Sequence, residues 1–310
     1  MKLLVTGGAG FIGSHFVRHI IKTYPDYHVT NLDKLTYAGN LDNLSDVADH
    51  PQYRFFQGDI ADAKLVDELT GETDVIVNFA AETHVDRSID DSSPFLTTNV
   101  IGTQVLLEAA RKHRHPRYIQ VSTDEVYGDI EEGFFTEQSP IKPSSPYSAS
   151  KAAADMLCLA YHRTYDVPVL ISRCSNNYGS NQYPEKLIPF FVKKLLNDEK
   201  VPVYGDGSNI RDWLHVIDHC CAIDLILHKG RVGEVYNIGT NEEHTNLEVT
   251  KKMLEILNLP EDRIEFVTDR LGHDLRYAID SSKIQNELGW KPSVPFEEGF
   301  RETINWYKNH

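Results

Sequence analysis

Short apolar runs recur along the chain with amphipathic stretches between them. Lys2–Thr6, His28–Leu32, Arg54–Gln57, Asp74–Phe79, Tyr118–Ser122 and Val167–Ser172 read as strands, several of them apolar enough to be buried on both faces. Gly13–Thr23, Phe95–His113 and Tyr147–Tyr165 repeat apolar positions at spacings of three and four, the pattern of one helix face. Strand and helix alternating in this way predict right-handed crossovers and a parallel sheet covered on both sides, a Rossmann-type doubly wound α/β fold. After Ser175 the regularity weakens, with Pro184, Pro189, Pro202, Gly205 and Gly207 interrupting shorter elements. We therefore expect a first domain over residues 1–175 and a smaller mixed α/β domain over 176–310. Val235–Ile238 reads as a strand returning to the first sheet, bringing residues 212–242 with it, and Phe296–Tyr307 as a closing helix.

Composition narrows the function. At 310 residues, 41% hydrophobic and 25% charged, the chain has material for a large core. A net charge of −15 argues against nucleic acid as a partner, because such binding needs cationic surface to displace phosphate counterions. No run approaches the ~18 apolar residues of a membrane span, and the N-terminus runs directly into a strand rather than a leader. The expectation is a cytoplasmic protein with no membrane partner. Cys158, Cys174, Cys220 and Cys221 lack Cys-x-x-Cys spacing and lie in apolar stretches, which predicts buried free thiols and no metal.

The first strand leads into Gly7-Gly8-Ala9-Gly10-Phe11-Ile12-Gly13 and then a helix. Glycines at 7, 10 and 13 suit a tight turn, a close approach to pyrophosphate and helix packing, and the helix N-terminus offers amides to the phosphates. Alone, such a loop also makes ordinary turns. Asp33, about 20 residues beyond the last glycine, ends the next strand where a carboxylate accepts from ribose hydroxyls and repels a 2′-phosphate. Together they predict NAD rather than NADP, despite Lys34 next door. Gly58-Asp59-Ile60 closes the third strand, at the adenine end of such a crevice, and Asn78-Phe79-Ala80-Ala81 closes the fourth with small residues.

Tyr147 and Lys151 stand four apart on a predicted helix and so share a face, where the ammonium can stabilise a phenolate. Such pairs are also common on solvated helices. Thr123-Asp124-Glu125 ends an apolar strand, and two adjacent carboxyls in a dry pocket can divide into one acid and one base. In extended backbone their side chains would point to opposite faces, so joint action requires the strand to end or turn there. The plain alternative is a pair of acids capping that turn.

Gly7-x-x-Gly10-x-x-Gly13 with Tyr147-x-x-x-Lys151 resembles the extended short-chain dehydrogenase/reductases acting on nucleotide sugars. STDEVYG at 122–128, SSPYSASKA at 144–152, SNNYG at 175–179, PEKLIPF at 184–190, RDWLHV at 211–216 and GHDLRYAID at 272–280 are similar to the dTDP-glucose 4,6-dehydratase family. The resemblance implies oxidation of dTDP-glucose at C4, loss of water across C5 and C6 and reduction at C6, with tightly bound NAD regenerated. Its product, dTDP-4-keto-6-deoxyglucose, would feed rhamnose and other deoxysugars. Within it Tyr147 takes the C4 hydroxyl proton, Thr123 holds the C4 oxygen, Glu125 removes the C5 proton and Asp124 protonates the leaving C6 oxygen. It also implies that Phe11, Ile12, Lys34, Leu35, Thr36, Thr83, Thr98 and Asn177 contact the cofactor. Thr83, Asn176, Lys186, Leu187, Arg211, Asn246, Arg270 and His273 would surround sugar and pyrophosphate, and Pro202 and Tyr204 the nucleobase. A homodimer is implied, formed by helices beginning near Phe95 and Tyr147. A sugar epimerase on the same scaffold, and an NAD-binding protein without turnover, are the competing readings.

Overall fold

The computed structural model describes residues 1–269 and 272–310. Its strands, in chain order, are β1 Lys2–Thr6, β2 His28–Asp33, β3 Tyr53–Gln57, β4 Val75–Asn78, β5 Arg117–Thr123 and β6 Val169–Cys174. They continue with β7 Asn176–Tyr178, β8 Val201–Tyr204, β9 Ile210–His215, β10 Val235–Ile238, β11 Glu243–Thr245 and β12 Ile264–Val267. Seven form one parallel sheet in the order β10-β6-β5-β4-β1-β2-β3, with the chain winding outwards from β1 in both directions. Leu3 and Val5 face one side of β1 and Leu4 the other, and each side feeds its own buried cluster. The helices Phe11–Thr23 and Val216–Lys229 cover the first side; Ala63–Thr70, Thr103–His113 and Pro146–Tyr165 cover the second.

A third cluster lies away from the sheet, where the helices Leu187–Leu196, Asn246–Leu257 and Phe296–Asn309 enclose Val192, Met253 and Phe300. Two small sheets border it, β11-β9-β7 and β12-β8. β10 pairs with β6, as its apolar run predicts. β9, by contrast, pairs with β7 and β11, so of residues 212–242 it is the helix Val216–Lys229 and β10 that pack with the large sheet.

Two elements differ from the sequence pattern. The helix expected over Phe95–His113 carries a π-helical segment, Leu96–Gly102, before its regular part, Thr103–His113. Such wide turns often accompany functional sites. Here the segment presents Asn99, whose amide donates to Glu82 O at 3.0 Å and Ser150 Oγ at 2.8 Å, and Thr98, which lines a cleft. Cys221 is half-buried, unlike Cys158, Cys174 and Cys220, which are buried thiols as expected.

Candidate active site

The carboxyl ends of β1 to β6 open into a cleft of about 290 Å³. Gly7, Gly10, Phe11, Ile12 and Gly13 form one wall of it, and Asp33, Lys34, Thr36, Asp59 and Ile60 line the part nearest β2 and β3. Phe79, Ala80, Ala81, Thr83, Thr98 and Asn177 line the rest, with Thr123, Asp124, Glu125, Tyr147 and Lys151 beyond. Leu35 is the exception among the expected cofactor residues, for it lines neither this cleft nor the next. Its φ of 55° turns the chain so that its amide donates to Asp33 Oδ1 at 2.8 Å. Leu35 thus holds the acid in place through its backbone, between Lys34 and Thr36, which line the cleft. Asp33 Oδ2 accepts from Ala9 N at 2.9 Å, and burial raises the Asp33 carboxyl above its ordinary range against the pull of these two amides. Lys34 is tied to Asp59 at 2.7 Å, an exposed pair that leaves the Asp33 carboxylate to face the cleft.

The residues present fit NAD. Helix Phe11–Thr23 begins at Gly10 with no side-chain cap, so its first amides receive no side-chain acceptor at the cleft wall. A Cβ on Gly13 would lie 2.2 Å from Gly7 O, which shows how tightly the loop is folded behind. In front, a Cβ on Gly10 would meet one atom within 4 Å, Gly7 O at 3.3 Å, so open space faces those amides. An anion of the size of a pyrophosphate matches that space and that charge.

At the far end, β5 stops at Thr123 and the chain turns into a 3₁₀ helix, Asp124–Val126. Thr123 Oγ1 caps it by accepting from Glu125 N at 3.3 Å. This turn puts both carboxyls on one cavity, as joint action requires. Their surroundings differ. Asp124 is 3% exposed, with Thr123 Oγ1 at 3.2 Å from Oδ1 and no hydrogen-bond partner for Oδ2 among the described residues. Burial holds the Asp124 carboxyl well above the usual carboxylate range; the charges of Glu125 and Asp212 add to this, and Thr123 and Arg211 oppose it. A neutral acid is the form that such a site favours. Glu125 is half-buried and lines both clefts.

Pro146–Tyr165 starts with a capping box in which Ser145 and Ser148 satisfy each other's backbone amides. It carries Tyr147 and Lys151 on its buried face. Burial raises the Tyr147 phenol well above 10, with Glu125 and Cys174 adding to it and a hydrogen bond from Thr123 opposing. The sequence suggested a direct effect of Lys151 on that phenol. In the structure Lys151 Nζ donates to Val121 O at 2.7 Å, and burial lowers the ammonium from its ordinary value.

A second cleft of about 230 Å³ adjoins the first, and Glu125, Asn176 and Lys186 line both. Leu187, Pro202, Tyr204, Arg211, Asn246 and His273 line it, as expected of sugar and base contacts. Arg270 lies outside the described residues. Arg211 donates to the carbonyls of Ile210, Leu275 and Asp274 and sits 4.3 Å over the Tyr277 ring, which fixes its guanidinium at the wall. His273 Nδ1 is paired with Asp269 at 2.6 Å and Lys186 Nζ donates to Thr83 O at 3.0 Å. Sequence reasoning missed Gln182 and Tyr183 in the first cleft and His84, Glu185, Trp213 and Tyr277 in the second. Glu185, Trp213 and Tyr277 lie inside PEKLIPF, RDWLHV and GHDLRYAID, so motif membership was the signal available; Gln182, Tyr183 and His84 lie outside any such motif.

Among the described residues no His, Cys, Asp and Glu cluster could hold a metal, and no helix is long and apolar enough to cross a membrane. A sequence model of the GDP-mannose 4,6 dehydratase family matches residues 4–303. A dTDP-glucose 4,6-dehydratase of Actinoplanes sp. is 55% identical over 313 aligned residues, covering 99% of this chain and 98% of its own. The low-salt glycan biosynthesis protein Agl12 of Haloferax volcanii is also 55% identical, over 99% of this chain and 98% of its own. DesIV, a dTDP-glucose 4,6-dehydratase of Streptomyces venezuelae crystallised with NAD and dTDP bound, superposes with a TM-score of 0.98 at 52% identity, over 100% of this chain and 98% of its own. A glycine loop, a buried Tyr–Lys pair and an acid turn meeting in one cleft thus coincide with full-length likeness, and the chain belongs to the GDP-mannose 4,6 dehydratase family of extended short-chain dehydrogenase/reductases.

Proposed function

We propose that this protein is an NAD-dependent dTDP-glucose 4,6-dehydratase, which turns dTDP-glucose into dTDP-4-keto-6-deoxyglucose and water. The observation that carries the reading is the turn at Asp124–Val126, which sets a neutral buried acid and a half-buried carboxyl at the junction of the two clefts, beside Tyr147. Bound NAD supplies the acceptor for the electron pair released at C4 and the donor for the pair added at C6. Tyr147 takes the proton of the C4 hydroxyl as phenolate, a form that burial opposes and that the Lys151 ammonium and the cationic nicotinamide of bound NAD would favour, with Thr123 holding phenol and sugar oxygen together. The ketone at C4 acidifies the C5 hydrogen, which Glu125 removes. Asp124 gives its proton to the C6 oxygen, which leaves as water, and Glu125 returns a proton to C5. The proton gained by Tyr147 balances the one lost by Asp124, so one proton passing between them resets the site.

The diphosphate lies in the second cleft on this reading, met by Lys186 and Arg211, with the thymine between Pro202 and Tyr204. Residues 1–175 with the returning strand form the cofactor domain and 176–310 the substrate domain. The same reading makes the protein a cytoplasmic homodimer in the supply of rhamnose and other 6-deoxysugars. Leu96, Ile101 and Met156, 54%, 52% and 45% exposed, lie on the two helical segments that would form the dimer face and support it.

The deciding experiment incubates purified protein with dTDP-glucose, without added NAD, and determines the mass of the product. Loss of one water is expected. A product of unchanged mass that proves to be the 4-epimer overturns the reading in favour of an epimerase.

A further inference from the structure

Behind Tyr147 and Lys151 lies a buried ion pair that the reaction does not use. Asp155 follows Lys151 by one helical turn, on the same face of Pro146–Tyr165, and is 0% exposed. Its Oδ2 accepts from Arg173 Nε at 2.9 Å, and Arg173, on β6, is 2% exposed. Its Oδ1 is buried with no hydrogen-bond partner among the described residues. A buried carboxylate with half its acceptor capacity unused is costly for stability alone. Arg173 Nη1 also donates to Tyr127 Oη at 2.9 Å, and Tyr127 directly follows the turn that carries Asp124 and Glu125. Tyr127 in turn donates to Asn237 Oδ1 at 2.8 Å. Asp155 and Arg173 thus join the helix of the Tyr–Lys pair to the turn of the two acids, through groups that touch neither cleft.

We propose that Asp155 is a positioning residue for Lys151: anchored by Arg173, its carboxylate is the fixed negative charge that keeps the Lys151 side chain an ammonium in the dry interior beside Tyr147. The inference rests on the dehydratase reading for its consequence in catalysis, but its core concerns a charge state that can be read without turnover. Lys151 is 5% exposed, and burial works against its charge. Of the groups that favour the charge, Asp155 acts most strongly, followed by the Cys174 and Cys158 thiols. The titratable and charged groups around it are Tyr147, Asp155 and Cys158 on its own helix, Tyr118 on β5, Arg173 and Cys174 on β6, and Asp124 and Glu125 on the turn. Burial pushes the Asp124 carboxyl and the thiols above their ordinary ranges, whereas Asp155 is the carboxylate paired with a guanidinium, Arg173 at 2.9 Å.

The test uses the holoenzyme labelled with ¹⁵N-lysine, the Lys151 Nζ resonance being assigned by its loss in Lys151→Arg. In the wild type it reports an ammonium throughout the working pH range. In Asp155→Asn its titration midpoint falls by at least about one pH unit, and the alkaline limb of the dehydratase rate falls with it, about tenfold lower above the new midpoint. Asp155→Glu restores both. Because Asp155→Asn leaves Arg173 unpaired and risks misfolding, the double variant Asp155→Asn/Arg173→Met removes both charges; its midpoint is expected to fall as well, by less, because the cation that opposes the ammonium leaves with the anion that favours it. A wild-type Lys151 that titrates below neutral pH, or a folded variant of either kind with an unmoved midpoint, overturns the proposal. Absence of dehydratase activity in the wild type overturns the functional reading instead, and leaves the lysine titration to decide this one.

Discussion

The cofactor cleft and the adjoining cleft for the sugar nucleotide have similar volumes, yet they are built by opposite means. The first is assembled by backbone. Thr6 stands opposite Leu32 and Asn78, and Leu32 opposite Phe56, so parallel register brings the ends of β1 to β4 level, while β5, with Gln120 opposite Asn78, runs further to Thr123. Each end then needs one short turn with little or no side chain. The second cleft is walled by side chains from Leu187, Pro202, Arg211, Asn246 and His273, drawn from two helices, two sheets and a loop far apart in the chain. A cleft made by strand ends persists whatever sugar is handled, whereas one made by side chains can be re-cut at several positions with the sheet unchanged. Cofactor identity should therefore be hard to alter by substitution, and substrate identity easier.

The sharpest way to break the first half is at Gly13. In Gly13→Ala the new Cβ lands 2.2 Å from Gly7 O, a backbone atom that cannot swing away. The loop must open, and the helix amides lose their alignment. We expect purified Gly13→Ala to carry almost no NAD, with dehydration falling to background, while circular dichroism still shows the α/β fold. Bound nucleotide counted after denaturation is the measurement; a full complement would mean that the loop tolerates what its packing forbids.

A smaller effect, confined to chemistry, is expected on the sugar side. Asp124→Asn keeps the size of the side chain and removes the transferable proton. Product should form about 10²–10⁴-fold more slowly, while NAD content remains that of the wild type and substrate still raises the near-ultraviolet absorbance of the reduced nicotinamide. Normal product formation by this variant would remove the acid assignment from Asp124 and leave the turn as mere capping. The two substitutions together separate a half that fails through backbone from a half that fails through a functional group.

The same division governs what could be read before the structure. Short apolar runs located all six strands β1–β6 to within one or two residues, because all but the half-exposed edge strand β3 are buried almost throughout. Asp33 and the glycine loop were legible because their spacing is set by one βαβ unit. The left-handed φ of Leu35, which turns its amide onto Asp33, was not legible because no glycine announces it. The π-helical segment at Leu96–Gly102 escaped notice because one extra residue per turn leaves the apolar spacing nearly intact. His84 and Tyr183 had no local signal, and Glu185 had only its place in PEKLIPF. Arg87, on the short helix Val85–Asp90, pairs with Glu185 at 3.0 Å and stacks 3.9 Å over Tyr37, contacts between segments far apart in the chain. The division into an acid and a base at 124 and 125 needed burial, which adjacency in sequence does not reveal.

That division has a thermodynamic signature, the smallest of the expected effects. Burial raises the Asp124 carboxyl, so the folded chain keeps a proton there that the unfolded chain releases near its ordinary value of about 3.9. Between those two values the folded state binds one proton more than the unfolded state, and stability falls as pH rises, by about 1.4 kcal/mol per pH unit. Asp124 thus contributes fully below the ordinary carboxyl value, and its contribution is lost as pH climbs towards the folded one. An asparagine at this position has no proton to lose, so Asp124→Asn abolishes the slope. Thermal unfolding of wild type and variant, followed from about pH 5 to about pH 8, should show the variant gaining on the wild type as pH rises, the other carboxyls cancelling in the difference. A gap in Tm that stays constant over that range would mean that Asp124 is already ionised in the folded chain, and dehydration would then need its acid elsewhere in the cleft.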